Sequence, residues 1–132
     1  MNNRITNQYI SKLEDDEIFV FGSNEAGRHG KGAAVKALEF GAIYGVGSGL
    51  RGHTYAIPTK NGNIETLKIE KVKKYVGEFI KFAEINPQLK FLVTEIGCGL
   101  AGFKYYEIAP FFKDCLYLPN VYLPLNFWNH IK

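Results

Sequence analysis

Residues 18–34 read IFVFGSNEAGRHGKGAA, an apolar run that passes directly into a glycine-rich loop and then into small residues. Residues 91–103 read FLVTEIGCGLAGF and repeat this order. The apolar runs predict buried strands, and the small residues after the first loop predict the start of a helix, whose first N–H groups lack partners and bind anions. We name residues 22–32 the first glycine loop and residues 97–103 the second glycine loop. Side by side, these loops predict a site for a diphosphate.

Apolar runs of strand length alternate with helical patterns along the chain, which predicts an α/β fold with a mostly parallel central sheet. The predicted strands are residues 17–21, 54–58, 90–96 and 121–125, with an edge strand at residues 4–10. The predicted helices are residues 33–38, closed by Phe40-Gly41, residues 72–83, ended by Asn86-Pro87, and a segment beginning near Pro110. The glycine-rich residues 41–52 are expected to form a surface loop or a loose hairpin.

Composition bounds the size and the partners of the protein. A chain of 132 residues with 46% hydrophobic content is expected to form a single domain over residues 1–132. The balance of 16 Lys+Arg against 13 Asp+Glu, a net charge of +3, is too slight to indicate a nucleic-acid partner.

The cysteines and histidines are few and scattered. Cys98 and Cys115 are interpreted as free thiols, and with no signal segment or membrane-length apolar run in the sequence we expect a cytoplasmic protein with no membrane partner. There is no CxxC pair, and His29, His53 and His130 lie far apart in the sequence. No metal site and no cofactor are therefore expected.

Each glycine loop has two interpretations. The glycines of the first loop either adopt the backbone conformations that a tight turn requires, or they let a phosphate approach the backbone. The loop has neither the GxxxxGK[ST] string of nucleoside-triphosphate sites nor the dinucleotide fingerprint. The second loop favours the ligand interpretation, because ligands of open parallel sheets bind outside the carboxyl ends of the strands. Both loops are then expected to face one cleft.

The loops resemble those of the macrodomains, also called Appr-1-p processing domains, which bind ADP-ribose and include hydrolases of ADP-ribosyl bonds. Asn24 and the GKGAA of residues 30–34 are similar to the asparagine and helix-opening glycine cluster of that family. The IGCGLAG of residues 96–102 resembles the IGCGL phosphate loop of a branch of ADP-ribosylhydrolases. The resemblance covers residues 17–125 and implies a three-layer α/β/α macrodomain-like fold.

The resemblance also implies roles for individual residues. Asn24 would contact the distal ribose, the first glycine loop would line the ribose and diphosphate, and the second would close over the phosphates. The implied ligand-binding residues are Gly22, Ser23, Asn24, Arg28, Gly30, Lys31, Gly32, Ala33, Gly97, Cys98, Gly99, Leu100, Ala101, Gly102 and Phe103. Adenine is expected near the end of the last strand, against Phe127 or Trp128, unless these two rings only cap the core; Phe103 either covers a ribose or packs in the core.

Catalysis is the open question. The IGCGL branch uses a lysine and an aspartate, and Ala101 stands where the aspartate belongs, so its covalent mechanism is not expected here. Asn24, Glu25 and His29 are the candidate catalytic residues, with Asn24 holding the ribose while Glu25 or His29 activates a water. Against this, Glu25 is equally a surface carboxylate, and for His29 a hydrogen-bonding role without catalysis is favoured. Cys98 is either a thiol nucleophile or a small packing residue, and packing is favoured because the sequence places no histidine beside it.

Two functions follow from these residues. The preferred hypothesis is a monomeric module that binds ADP-ribose or an ADP-ribosylated molecule, with nucleic acid as a partner only where it is ADP-ribosylated. The alternative is a hydrolase that removes ADP-ribose from a protein or nucleic acid, or phosphate from ADP-ribose-1''-phosphate.

Overall fold

A five-stranded mixed sheet organises the computed structural model, which describes residues 3–131. The strands are β1 (Glu17–Asn24), β2 (Gly49–Arg51), β3 (Thr54–Lys60), β4 (Lys90–Val93) and β5 (Val121–Tyr122). They lie in the order β2-β3-β1-β4-β5, with β2 antiparallel to β3 and the other three pairings parallel. The α/β class predicted from the sequence is confirmed.

Helices follow β1, β3, β4 and β5. They are α1 (Ala33–Glu39), α2 (Ile69–Glu84), α3 (Tyr105–Ile108) and α4 (Leu125–Trp128), with a 3₁₀ helix at Ala109–Tyr117 between α3 and β5. The predicted helices at residues 33–38 and 72–83 are confirmed, because α1 and α2 contain them. The predicted helix near Pro110 exists as the 3₁₀ helix. Within residues 3–131, no helix combines the length and the apolar character that crossing a bilayer requires.

The central strand β1 explains how the core is built. Its successive side chains point to opposite faces of the sheet, so Ile18 and Val20 enter one hydrophobic cluster while Phe19 and Phe21 enter another. The first cluster contains the apolar stripe of α2, and the second contains Ala34 and Ala37 of α1. Strand β1 is therefore buried from both sides, and its carboxyl end emerges between the two clusters.

Strand β1 extends three residues beyond the predicted end at Phe21. It pairs with β3 as far as Lys60, and the register shifts between Ser23 and Asn24. A shift in the pairing register changes the direction in which the following side chain points. The strand therefore delivers Asn24 at its very end, where the first glycine loop leaves the sheet.

Three strand predictions need correction. Strand β4 ends at Val93, not at residue 96, because the chain turns at once: the Ile96 amide donates to the Thr94 carbonyl at 2.8 Å. Strand β5 ends at Tyr122, since Pro124 has no N–H for the ladder and instead precedes α4, which takes up Leu125.

The third correction concerns residues 4–10, which do not form an edge strand. Ile5 makes an isolated parallel bridge with Leu123, and no further pairing follows within the described chain. Arg4 instead uses its guanidinium to bind main-chain carbonyls, including those of Cys115 at 3.2 Å and Leu116 at 3.1 Å. The backbone bonds of Arg4 and Thr6 to Leu123, together with the Arg4 side-chain bonds, thus anchor this segment in place of an extended ladder.

Candidate functional site

The two glycine loops line one cavity of about 460 Å³ at the carboxyl ends of β1 and β4. A Cβ placed on Gly32 would lie 3.7 Å from Cδ1 of Leu100, so the first loop faces the second across this cavity. A Cβ on Gly22 would lie 3.6 Å from the Gly97 nitrogen, which brings the end of β1 against the second loop. The expected convergence of the loops is therefore present.

Most of the residues singled out in the sequence line this cavity. They are Gly22, Ser23, Asn24, Arg28, Gly30, Lys31, Gly32, Ala33, Gly97, Gly99, Leu100 and Ala101. Glu25, His29, Cys98, Gly102 and Phe103 lie outside the lining. The lining is completed by residues that were not among the predicted ligand-binding residues: Ala34, Thr59, Lys60, Ile64, Thr94, Glu95 and Ile96.

Main-chain amides in both loops are free to bind an anion. Within residues 3–131, the amides of Lys31, Gly32, Gly99, Leu100 and Ala101 donate no hydrogen bond to the protein. All five belong to residues of the cavity lining. Unpaired amides clustered in glycine-rich turns make anion-binding concavities. Two separate turns therefore offer donors to the same space.

The charged side chains around the cavity are mostly cationic. Arg28 and Lys31 are exposed on the first loop, and Lys60 is half-buried at the end of β3. Glu95 is the anionic member of the lining. Lysine and arginine near a cleft raise the local concentration of anionic ligands. This balance suits a ligand that carries more than one negative charge.

Asn24 closes the first glycine loop. Its Nδ2 donates to the Arg28 carbonyl at 3.0 Å, and its Oδ1 accepts from the Arg28 amide at 2.9 Å. The residue is buried. A carboxamide has two N–H groups and two lone pairs, so one donor and one acceptor position remain after these bonds. Asn24 therefore shapes the loop and retains capacity to contact a ligand.

Residues 41–48, which we name the supporting segment, pack beneath the first loop. The Ser23 hydroxyl donates to the Gly47 carbonyl, and the Gly45 amide donates to the Gly27 carbonyl at 2.8 Å. Strand β2 follows and forms the expected hairpin with β3. Sequence reasoning treated the segment as a connection, although its glycine content was a signal of close backbone packing.

His29 is an interior residue. It is 2% exposed, its Nε2 lies 3.0 Å from the Val46 carbonyl, and its ring packs edge-on against Phe21 at 5.3 Å and Tyr44 at 6.3 Å between centroids. Its Nδ1 is buried and has no partner within residues 3–131. The ring thus joins the first loop to the supporting segment and does not face the cavity.

Glu25 is held by helix α2. Its Oε2 lies 2.8 Å from Nζ of Lys71 and accepts a hydrogen bond from the Tyr75 hydroxyl. The bonds from Lys71 and Tyr75 hold the pKa of Glu25 below its ordinary value of 4.5. Burial, with the bonded Glu25 carboxylate as a smaller cause, raises the pKa of Tyr75 to about 12. The carboxylate therefore ties the first loop to α2.

This tie predicts a pH-dependent effect of Glu25→Gln. Because the folded pKa of Glu25 is lowered, its stabilisation is complete above 4.5 and is lost as the pH falls through the lowered value. We expect the substitution to reduce the free energy of unfolding by about 1 kcal/mol at pH 7, a modest amount because Lys71 is half exposed. Urea unfolding at pH 7 and at successively lower pH values below 4.5 measures it, with the exposed Glu84→Gln as control; a difference that does not shrink as the pH falls below 4.5 contradicts the assignment.

Cys98 is a packing residue in the second loop. Its side chain is half-buried and contacts the larger hydrophobic cluster. Burial, followed by the charges of Glu95 and Glu107, raises the pKa of its thiol to about 12. A thiol that stays protonated at neutral pH is a poor nucleophile. The packing interpretation of Cys98 fits its surroundings.

The aromatic residues expected near the adenine are engaged elsewhere. Phe127 is fully buried, with its ring 5.5 Å from that of Phe112. Trp128 donates from Nε1 to the Arg4 carbonyl at 2.7 Å and is covered by the Arg4 guanidinium. Neither lines the cavity, so the capping interpretation holds for both. Phe103 packs beneath Gly97, where a Cβ would lie 3.3 Å from its ring.

Glu95 is oriented by two hydrogen bonds. Oε1 accepts from the Tyr105 hydroxyl at 3.0 Å, and Oε2 accepts from Nδ2 of Asn126 at 2.8 Å. The bond to Glu95 and its negative charge raise the pKa of Tyr105. Within residues 3–131, no three His, Cys, Asp or Glu side chains are grouped to hold a metal ion. Glu95 therefore offers hydrogen-bond acceptors rather than part of a metal-ligand group.

Comparison with known proteins identifies a similar fold and no known family. No protein-family model matches the chain, and no curated protein matches it. A solved structure of a protein of unknown function from Bacteroides thetaiotaomicron is similar, with a TM-score of 0.60 and 16% sequence identity. The similarity covers 91% of this chain and 93% of that chain. The two proteins share an architecture, and the likeness carries no function.

Proposed function

We propose that this protein binds ADP-ribose or a related ADP-ribosyl nucleotide or conjugate. The observation that carries the proposal is the convergence of two glycine loops on one cavity, with unpaired amides from both. Main-chain N–H groups bind phosphate without any side chain, and glycine lets the backbone approach closely. A diphosphate has oxygens on two adjacent phosphorus atoms and therefore matches donors from two turns.

The size and charge of the cavity support a small anionic ligand. Its volume of about 460 Å³ falls within the range of about 300–1,000 Å³ that is usual for small-molecule sites. Arg28, Lys31 and Lys60 contribute positive charge at its edge. Asn24 retains a donor and an acceptor that can pair with ribose hydroxyls.

The macrodomain resemblance of the loops supports the same ligand. We propose a three-layer macrodomain-like arrangement, with α1 on one face of the sheet and α2 with the 3₁₀ helix on the other, since β1 contributes to a hydrophobic cluster on each side. We further propose a cytoplasmic location, because Cys98 and Cys115 are both free thiols.

Binding is preferred to hydrolysis because the candidate general bases are occupied. Glu25 is paired with Lys71 and Tyr75, and the His29 ring is enclosed between aromatic side chains. A general base must come within hydrogen-bond reach of the water it activates. Neither group lines the cavity. Catalysis would require the side chain of Glu25 or His29 to leave its partners and enter the cavity. Binding of a ligand, in a sequestering or reader role, requires no such movement.

Calorimetric titration with ADP-ribose tests this proposal. We expect saturable binding of ADP-ribose and weaker binding of inorganic pyrophosphate, because the diphosphate carries only part of the contact. Incubation with ADP-ribosylated protein, ADP-ribosylated DNA and ADP-ribose-1''-phosphate should leave all three intact. Release of ADP-ribose or phosphate would favour the hydrolase instead, and absence of binding to both ADP-ribose and pyrophosphate would overturn the proposal.

A further inference from the structure

A second cavity, of about 1190 Å³, opens beside the first. The two share Gly32, Ala33, Thr94 and Glu95 in their linings, so they meet where the first glycine loop approaches the end of β4. A ligand whose diphosphate lies against the loops can therefore continue into the second cavity. Glu95 stands at the junction that such a ligand has to pass.

The chemistry of Glu95 restricts what can lie at this junction. An ionised carboxylate accepts hydrogen bonds and donates none, so it repels phosphate and pairs with hydroxyl or amine groups. Tyr105 and Asn126 each occupy one position on its two oxygens and leave further lone pairs. Because both oxygens are fixed in place, the carboxylate presents a pair of acceptors, which matches two adjacent hydroxyl groups.

Polar side chains line the second cavity. Asn7, Gln8 and Ser11 are exposed there. Carboxamide and hydroxyl groups both donate and accept hydrogen bonds. These groups are independent of Glu95 and suit the polar atoms of a ligand that extends beyond the junction.

We propose that Glu95 is a specificity-determining residue, which accepts hydrogen bonds from the two ribose hydroxyls of the nucleoside whose diphosphate lies in the glycine loops. The inference rests on the proposed function and adds to it the contact that the ribose of the ligand makes at the junction. The ribose diol occupies the junction, the nucleobase extends into the second cavity, and Glu95 discriminates a ribonucleotide from its deoxy counterpart.

The test compares ADP with 2',3'-dideoxy-ADP by calorimetry. On the wild-type protein we expect dideoxy-ADP to bind about tenfold more weakly, as the loss of hydrogen bonds to a charged group implies. In Glu95→Gln this ratio should fall towards one. The ratio cancels any general gain in affinity that removing a negative charge near the diphosphate produces.

Glu70→Gln is the matched control, since it removes the same charge from an exposed position on α2 outside both linings and should keep the tenfold ratio. A wild-type ratio near one, or a tenfold ratio retained in Glu95→Gln, would overturn the proposal. If the wild type binds pyrophosphate and ADP-ribose, but binds ADP and 2',3'-dideoxy-ADP equally tightly, the inference about Glu95 fails and the proposed function stands. If the wild type binds none of these ligands, both fail.

Discussion

Gly99→Val is expected to abolish ligand binding and to leave the fold intact. Gly99 lines the first cavity, its φ lies outside the left-handed region, and a Cβ there would meet no atom within 4 Å. The Cβ of the new side chain therefore meets no protein atom, but the ligand loses the space. We expect Kd to rise at least about 100-fold, close to 3 kcal/mol, with the free energy of unfolding within about 0.5 kcal/mol of wild type.

Calorimetry with ADP-ribose and urea unfolding together measure this result. Gly77→Val is the matched control, because Gly77 also has open space at its Cβ position but lies on α2, outside both cavities. Gly32 is a poorer choice, since its φ of 64° would strain a valine backbone and give the loss two explanations. Wild-type affinity in Gly99→Val would show that the ligand lies elsewhere.

Gly47→Ala is expected to destabilise the protein more than any other single substitution proposed here. A Cβ on Gly47 would lie 2.2 Å from the Asn24 carbonyl oxygen and 2.8 Å from that of Glu25. Both atoms belong to the backbone and cannot swing away, so the supporting segment would have to separate from the end of β1. We expect a loss of about 3 kcal/mol in the free energy of unfolding, typical of severe overpacking.

The same displacement should weaken ligand binding, because Ser23 and Asn24 line the cavity. Ser48→Ala is the neighbouring control: Ser48 is exposed, and its substitution should change stability by less than about 0.5 kcal/mol. Urea unfolding of the wild type, Gly47→Ala and Ser48→Ala measures these changes in stability. Equal stability of Gly47→Ala and wild type would mean that the supporting segment does not pack against β1.

The sequence was most informative where a structure depends on neighbouring residues. The stripe of α2 repeats at helical spacing, and Asn86-Pro87 ends it, so its position was predicted closely. The small residues after the first loop predicted α1 for the same reason. The glycine loops were identified as ligand-binding candidates because glycine has a distinctive physical role that no other residue shares.

Sequence patterns were less informative where a partner is distant in the chain. Glu25 accepts a hydrogen bond from Tyr75, 50 residues away, and no local sequence pattern predicts that contact. Glu95 was absent from the predicted site because no motif in the sequence distinguishes it, and its partner Asn126 lies 31 residues further on. Strand β5 was predicted too long because its length depends on where β4 stops pairing as well as on Pro124.

Local preferences were thus enough to establish an α/β chain with two glycine loops at strand ends, since strand, turn and helix propensities act over a few residues. Folding in three dimensions decided which atoms those loops face: the enclosed ring of His29, the tight approach of Gly47 to Asn24, and Glu95 at the junction of two cavities. These features arise from contacts between segments far apart in the chain. Such contacts have no fixed spacing along the polypeptide from which they can be read.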